Sequence, residues 1–358
     1  MSRTARFRSL GEFCLATLAL WTLLEVFFRL VAVDEWFGVE PGIPIYTQYE
    51  DWVLPRYSEF ERALYRFDTE LMYRLEPGVV LRATNYLAPE ETWTITIDDR
   101  GFRRTSDADP SGDELLVMGD SIAFGFWGSD EESFPSQMAQ ALASSSPGIR
   151  LDVLNAGVPG YDSLQGRLYF SELWKRHSPR VVILAYGMND HWRKHRSRKE
   201  ILEDFRRTAA IVQILNHFEL FRSTRRIVAH HRQQRAAPKR VPAVSPDDFE
   251  DNLRFMIERS LEAGASVILV DTFVFVEAPK HTGRLTALSR EYSLPLLHFS
   301  ELLDRELERR SGDDPKSEAQ VYWERVHPKA FFFELVGTEL AKQVQSVLAI
   351  NAEFPLGD

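Results

Sequence analysis

The chain has 358 residues, 44% hydrophobic and 27% charged, which is enough for one large domain with an appendage or for two domains. Its 53 acidic side chains outnumber the 43 basic ones, and the formal net charge of −10 argues against nucleic acid as a partner. A single cysteine, Cys14, excludes an intrachain disulfide framework and a cysteine-based metal site.

The first 33 residues have the pattern of an export signal followed by a membrane span. Arginines at positions 3, 6 and 8 precede two apolar stretches, 13–24 and 26–33. No small residues suited to signal cleavage follow the first stretch, and Cys14 comes after Gly-Glu-Phe, which is not a lipoprotein box. A helix over residues 10–33 would be about 36 Å long, enough to cross a bilayer.

Two charged residues, Glu25 and Arg29, lie one helical turn apart within this segment, so they can pair near the membrane interface. We therefore predict an uncleaved signal anchor in residues 1–33, with a cytoplasmic tip and a single transmembrane helix. The chain would contact the membrane through residues 10–33, and the rest would be periplasmic or extracellular. A cleaved signal and an amphipathic helix lying on the membrane surface are the alternatives.

Residues 34–110 are predicted to form a linker and a small α+β module. The linker is aromatic and proline-rich, and residues 56–72 are predicted to be helical. The segments "GVVLRATNY" (78–86) and "TWTITIDDRGF" (92–102) alternate as strands do. The breaker-rich "TSDADPSGDE" (105–114) predicts a domain boundary, and no chemistry is assigned to this region.

Residues 111–350 are predicted to form an α/β domain with a parallel sheet covered on both faces, because short apolar strands alternate with helices. The predicted strands are 114–118, 151–154, 181–185, 266–271 and 294–298. The predicted helices are 133–145, 163–177, 247–263, 280–292, 300–310 and 329–348.

Polar residues follow the first three of these strands. Ser121 ends "LLVMGDS", Gly160 lies in "NAGVPGYDS" and Asn189 in "YGMND". Because the carboxyl ends of parallel strands meet at one edge of a sheet, one crevice could hold all three. Near the C-terminus, "WERVHPKAF" adds a Glu-x-x-His pair. A hydroxyl, a histidine base, a carboxylate and amide donors are what acyl transfer needs, although Gly-Asp-Ser by itself also suits a simple helix cap.

These four segments, in this order, resemble the blocks of the SGNH hydrolase superfamily, also called GDSL esterases and lipases, over roughly residues 114–345. The resemblance implies a flavodoxin-like three-layer fold, with Ser121 as nucleophile and His327 as general base. It also implies an oxyanion hole formed by the amides of Ser121 and Gly160 and by the side chain of Asn189. Asp120 would shape the turn.

Glu324 departs from the family pattern, which usually has Asp three residues before the histidine. Glu is one methylene longer, so three interpretations stay open. Glu324 orients His327 as a longer acid, which we favour; a backbone carbonyl orients His327 instead; or the site is catalytically impaired.

No metal and no cofactor are predicted. His191 and His195 lie next to Asp190 and a few residues beyond it, but no third ligand with suitable spacing is evident, and Asp190 is expected to brace the Asn189 loop by hydrogen bonds. His281 is expected at a helix start. Nothing in the sequence resembles a phosphate-binding loop or a dinucleotide fingerprint.

Residues 191–240 form a basic insert, with 14 Lys/Arg against four Asp/Glu, while the remainder has 29 against 49. Ile211, Leu215, Phe218 and Phe221 recur at helical spacing, which predicts amphipathic helices near the mouth of the site. The insert is either a cover whose arginines pair with the acidic body or a lid that meets anionic lipid headgroups or an acidic polysaccharide.

The resemblance implies a serine-dependent carboxylic-ester hydrolase that removes acyl groups, with acetyl expected, from a glycan or lipid. The predicted signal anchor places this activity outside the cytoplasm. An O-acyltransferase that modifies a cell-surface or exported polysaccharide would use the same residues. A catalytically impaired glycan-binding module is the non-enzymatic alternative, motivated only by Glu324.

Overall fold

The computed structural model describes residues 3–31, 33–36, 63–85, 88–106, 109–146, 148–194, 196–215, 217–235, 241–309, 322–323 and 326–353. Most of the predicted linker, and also His195 and Glu324, lie outside the described residues. The strands are β1 (Tyr65–Asp68), β2 (Met72–Leu75), β3 (Val80–Asn85), β4 (Ala88–Thr96), β5 (Asp113–Gly119), β6 (Leu151–Gly157), β7 (Val181–Ala185), β8 (Arg193–Lys194), β9 (Val241–Pro242), β10 (Ser266–Asp271) and β11 (Leu296–His298). The helices are α1 (Arg3–Leu30), α2 (Val33–Trp36), α3 (Ser121–Phe124), α4 (Phe134–Ser145), α5 (Ser163–Leu173), α6 (Met188–His191), α7 (Arg198–Leu215), α8 (Glu219–Arg235), α9 (Pro246–Glu262), α10 (Pro279–Tyr292), α11 (Phe299–Arg309) and α12 (Ala330–Glu353).

A five-stranded parallel sheet forms the centre of the α/β domain, in the order β11-β10-β7-β5-β6. Side chains alternate across it: Leu116 and Met118 of β5 pack in one core, whereas Leu115 and Val117 pack in the other. Helices α5 and α9 contribute to the first core, and α4 and α12 to the second. The prediction of a parallel sheet covered on both faces is confirmed.

The helices around the sheet begin where the sequence supplies caps. Ser133 accepts a hydrogen bond from the Ser136 N–H at the start of α4, and Ser245 does the same from the Asp248 N–H at the start of α9. Both helices have proline in the first turn, where a missing N–H costs nothing. The predicted helices near these positions therefore start within one residue of the observed ones.

The prediction of a helix over 56–72 is wrong from residue 65 onward, because β1 and β2 form an antiparallel hairpin there. Asp68 accepts hydrogen bonds from the Glu70 and Leu71 N–H groups, and this local turn competes successfully with a helix. The hairpin packs on the first core of the α/β domain, and the Tyr73 hydroxyl donates to the Pro159 carbonyl at 2.9 Å. The hairpin thus supports a loop of the domain rather than a separate core.

Helix α1 carries an apolar stretch, Glu12–Leu30, that is long and apolar enough to cross a membrane by length and composition. Almost all of this stretch is exposed, and the helix ends at Leu30 rather than at residue 33. The predicted pair between Glu25 and Arg29 is confirmed, with Arg29 Nε 2.7 Å from Glu25 Oε1.

The basic insert forms helices α7 and α8, as predicted, but its buried stripe differs from the predicted one. The buried side chains of α7 are Arg198, Ile201, Leu202, Phe205, Ala209 and Val212. Ile211 is 61% exposed, and Phe218 lies between the helices. Among the described ion pairs between the insert and the body are Arg198 with Asp162 and Arg206 with Glu70, the latter at 3.0 Å.

Candidate active site

Ser121 is held at the end of the central strand β5 by its two preceding residues. The Asp120 carboxylate accepts a hydrogen bond from the Ile122 N–H at 2.8 Å and so caps the one-turn helix α3. A Cβ at Gly119 would lie 2.6 Å from the Ala185 carbonyl oxygen, so this position requires glycine. The cap is therefore Asp120, and the Ser121 hydroxyl is left to project from the carboxyl edge of the sheet.

His327 lies beside this hydroxyl although 206 residues separate the two in the chain. Its Nε2 is 2.7 Å from Ser121 Oγ. The segment before α12 places it there, because the Trp323 N–H donates to the His327 carbonyl and Tyr322 bridges to Pro328. The imidazole also contacts the Phe126 ring, with centroids 5.2 Å apart. A neutral imidazole in this position can accept the serine proton.

The predicted oxyanion-hole residues lie on the neighbouring loops. Gly160, after β6, has φ +84°, a conformation that favours glycine. Asn189, after β7, donates from Nδ2 to the Tyr161 carbonyl at 2.9 Å, and the same atom lies 3.4 Å from Asp120 Oδ2. Among the hydrogen bonds of the described residues, neither the Ser121 N–H nor the Gly160 N–H has a protein acceptor. Both amides can therefore serve a substrate oxygen.

Buried carboxylates surround these loops. Asp120 is fully buried, and burial raises its pKa to about 6 against the opposing hydrogen bond from Ile122 and the nearby His327. Burial, followed by repulsion from Asp162, raises the pKa of Asp190. Asp190 accepts hydrogen bonds from the backbone N–H and the hydroxyl of Ser163. It thereby ties the Asn189 loop to the start of α5.

Sequence reasoning missed the buried ion pair behind this loop. Asp162 caps α5 by accepting from the Gln165 N–H, and it also pairs with Arg198 of the insert. Both side chains are fully buried. "YDS" indicates only a helix cap, and nothing in the spacing of Arg198 distinguishes it from the exposed insert arginines. Asn252 donates to the Ser163 hydroxyl at 3.0 Å, and its spacing in the sequence does not indicate this contact either.

Arg198→Met is expected to lower the free energy of unfolding by about 3–5 kcal/mol, because it leaves the Asp162 charge buried without its partner. Urea titration of the full chain in detergent measures this loss. Arg196→Met is the matched control, since its pair with Asp204 is half exposed on both sides and should contribute less than about 1 kcal/mol. Equal effects of the two variants would contradict the role given to the buried pair.

Three further histidines of the described residues, His191, His281 and His298, make contacts of their own. His281 is buried at the start of α10, and burial lowers its pKa to about 4. Its ring is edge-on to that of His191, with centroids 5.9 Å apart. His298, at the end of β11, has Nδ1 3.0 Å from Asp271 Oδ2. Within the described ranges, no group of three or more His, Cys, Asp or Glu side chains could hold a metal ion.

Comparison with known proteins gives matches that include this site. The model of the "GDSL-like Lipase/Acylhydrolase family" matches residues 117–330. An arylesterase from Vibrio mimicus is 32% identical over 85 residues, 24% of this chain and 42% of that protein. Thioesterase 1/protease 1/lysophospholipase L1 of Escherichia coli K12 is 31% identical over 100 residues, 26% of this chain and 46% of that protein. The chain thus spans less than half the length of these curated relatives.

Among solved structures, Axe2, an acetylxylan esterase from Geobacillus stearothermophilus, is 17% identical with a TM-score of 0.42, covering 65% of this chain and 94% of that one. LAE5, an alpha/beta hydrolase enzyme from the metagenome of Lake Arreo, is 16% identical with a TM-score of 0.44, covering 65% and 95%.

Proposed function

The chain belongs to the GDSL-like lipase/acylhydrolase family, and on that premise we propose that it is a serine-dependent hydrolase of carboxylic esters. Its substrate would be an acyl ester of a glycan or lipid outside the cytoplasm, with acetyl as the expected acyl group. The observation that carries the proposal is the 2.7 Å separation of His327 Nε2 from Ser121 Oγ. A hydroxyl and an imidazole at hydrogen-bond distance form the activated nucleophile of acyl transfer.

In the proposed reaction, Ser121 Oγ attacks the ester carbonyl carbon while His327 Nε2 takes the hydroxyl proton. The N–H groups of Ser121 and Gly160 donate to the resulting oxyanion, and the Asn189 amide joins them by exchanging its long 3.4 Å bond to Asp120 Oδ2 for the substrate oxygen. Collapse of this intermediate breaks the bond to the alcohol, which leaves with the proton from His327. Water, deprotonated by His327, then attacks the acyl-serine. The bond to Ser121 Oγ breaks, Ser121 Oγ takes the proton back from His327, and the carboxylic acid departs.

A fluorophosphonate probe tests this assignment directly. Such a probe forms a covalent bond only with an activated nucleophile, so the purified full chain in detergent should be labelled at Ser121, as identified by peptide mass spectrometry. An unlabelled protein would overturn the hydrolase proposal and leave the glycan-binding module as the better interpretation.

The same residues would serve an O-acyltransferase in which a sugar hydroxyl, rather than water, takes the acyl group from Ser121. Release of the alcohol from an acetyl ester should be measured with and without added oligosaccharide. Free acetate as the product in both cases supports the hydrolase. Faster release together with acetylated sugar would favour the transferase.

Asn189→Ala is expected to lower kcat for a small aryl acetate by about 10²–10³, because one donor to the oxyanion is lost. KM should change much less, since the donor matters most when negative charge develops on the oxygen. The midpoint of thermal unfolding is measured alongside, because Asn189 also holds the Tyr161 carbonyl. A normal kcat in a stable variant would show that this amide does not contact the oxyanion.

The proposed location is outside the cytoplasm, on a single-pass anchor formed by α1. Support comes from the exposed apolar stretch Glu12–Leu30 and from the arginines that precede it. A reporter that is active only in the cytoplasm, fused after Asp358, should stay silent. Reporter activity would show that the orientation is reversed.

A further inference from the structure

The apolar helix α1 and the basic insert are joined by a buried carboxylate. Glu25 accepts hydrogen bonds from the backbone N–H groups of Glu219 (2.9 Å) and Leu220 (3.0 Å), the first residues of α8. These N–H groups have no acceptor within their own helix, so Glu25 caps α8 from 194 residues away. Arg29 pairs with Glu25 and also donates to the His217 carbonyl at 3.0 Å. Helix α1 therefore both accepts hydrogen bonds from the insert, through Glu25, and donates one to it, through Arg29.

The level of this contact along α1 determines where the insert meets a membrane. Glu25 lies inside the apolar stretch, five residues before its end at Leu30, which corresponds to about 8 Å along the helix. One turn deeper, the Trp21 ring packs against Phe218 with centroids 5.6 Å apart. If α1 spans a bilayer, the turn between α7 and α8 reaches the layer between headgroups and acyl chains.

The outer surface of the insert near this turn exposes the apolar Ile211 and Ile214 beside the polar Gln213 and His217. Beyond residue 36, the exposed large apolar side chains of the described residues are Val80, Trp192, Ile211, Ile214 and Val228. Ile211 and Ile214 lie on one face of the last turns of α7 and are 61% and 67% exposed. One turn earlier on that face is Arg207, which is 75% exposed. The outer face of α7 thus changes from charged to apolar only where the chain approaches α1.

Cations flank this apolar end. Arg222 and Arg225 follow in the first two turns of α8, where Arg222 pairs with Glu219 and Arg225 lies over the Phe221 ring. Apolar side chains bordered by arginines are typical of segments that lie in the interfacial layer of an anionic membrane. A soluble acidic polysaccharide would form ion pairs with the arginines, but it would leave the apolar Ile211 and Ile214 exposed to water.

We propose that the insert tip, residues 211–215 and 217–221, docks in the lipid interface of the membrane that α1 crosses, with Ile211 and Ile214 among the acyl chains. Glu25 fixes the tip to α1, and the arginines of α8 face the anionic headgroups. This inference rests on the proposed membrane anchor and is independent of the proposed chemistry. It favours lipid over acidic glycan as the partner of the insert.

Site-specific fluorescence of the full chain in lipid nanodiscs tests the proposal. Since Cys14 is the only cysteine, Cys14→Ser gives a background in which single cysteines are introduced and labelled with an environment-sensitive dye. Ile214→Cys reports on the tip, Leu18→Cys on α1, and Arg259→Cys on an exposed position of α9. The discs contain phosphatidylcholine and phosphatidylglycerol, with or without brominated acyl chains that quench the dye.

The expected result is a blue-shifted emission and loss of most of the fluorescence at positions 18 and 214, with no quenching at position 259. Quenching at 18 but not at 214 would overturn the inference and leave the anchor standing. No quenching at either position would overturn both. A dye at position 214 that responds to an acidic oligosaccharide but not to brominated lipid would identify glycan as the partner and overturn the lipid assignment.

Discussion

Ser121→Ala is expected to abolish turnover of acyl esters without unfolding the protein. Removal of the nucleophile from a serine hydrolase lowers kcat by about 10⁶, because no other group can form the acyl intermediate. The hydroxyl lies at the open edge of the sheet, where its hydrogen-bond partner is His327, and its loss leaves little cavity. The release of alcohol from a small acetyl ester measures the effect, together with labelling by the fluorophosphonate probe.

Ser145→Ala is the matched control, since it also removes a serine hydroxyl. At the surface, this hydroxyl donates to the Ala141 carbonyl and accepts from Gln345 Nε2. This control should keep both its turnover and its labelling at Ser121. Turnover at the wild-type rate in Ser121→Ala, with an unchanged unfolding midpoint, would exclude Ser121 as the nucleophile and with it the proposed mechanism.

The α/β domain was predictable because its sequence is locally consistent. Its central strands are continuous apolar runs, as buried parallel strands must be, and caps such as Ser133 and Ser245 mark the helix starts. The hairpin at 65–75 was not predictable from the hydrophobic pattern. Its turn depends on hydrogen bonds that the Asp68 carboxylate accepts from two backbone N–H groups. The order of the strands in the sheet is also absent from the periodicity of the chain.

The site also has residues that the sequence predicts and residues that it does not. Ser121, Gly160 and Asn189 follow adjacent strands, so the topology alone places them near one another. His327 comes from a distant loop, and only the family resemblance linked it to Ser121. Arg198 and Glu25 make their contacts at separations of 36 and 194 residues, beyond the reach of any local pattern. Long-range polar contacts are therefore what the structure adds.

The orientation of the His327 ring decides how well it serves as a base in the proposed mechanism. Its Nε2 faces Ser121, so a group that fixes the tautomer and stabilises the imidazolium has to contact Nδ1. The candidate from the sequence is Glu324, three residues before the histidine. A longer acid, a backbone carbonyl and an impaired site are the three interpretations of this departure from Asp, and they predict different rates when the carboxylate is removed.

Glu324→Gln is expected to lower kcat/KM by about 10⁴ if the carboxylate orients His327, because an amide in its place stabilises the wrong tautomer and cannot balance the imidazolium charge. Glu324→Asp is the matched variant, since it keeps the charge and shortens the side chain to the length usual in the family. If Glu324→Asp retains activity and Glu324→Gln loses it, the negative charge of the side chain is what orients His327. An unchanged rate in Glu324→Gln would instead indicate a Ser121–His327 dyad in which a backbone carbonyl orients the imidazole. The fold around the pair, with its Trp323 and Pro328 contacts, would then suffice to hold the ring in place.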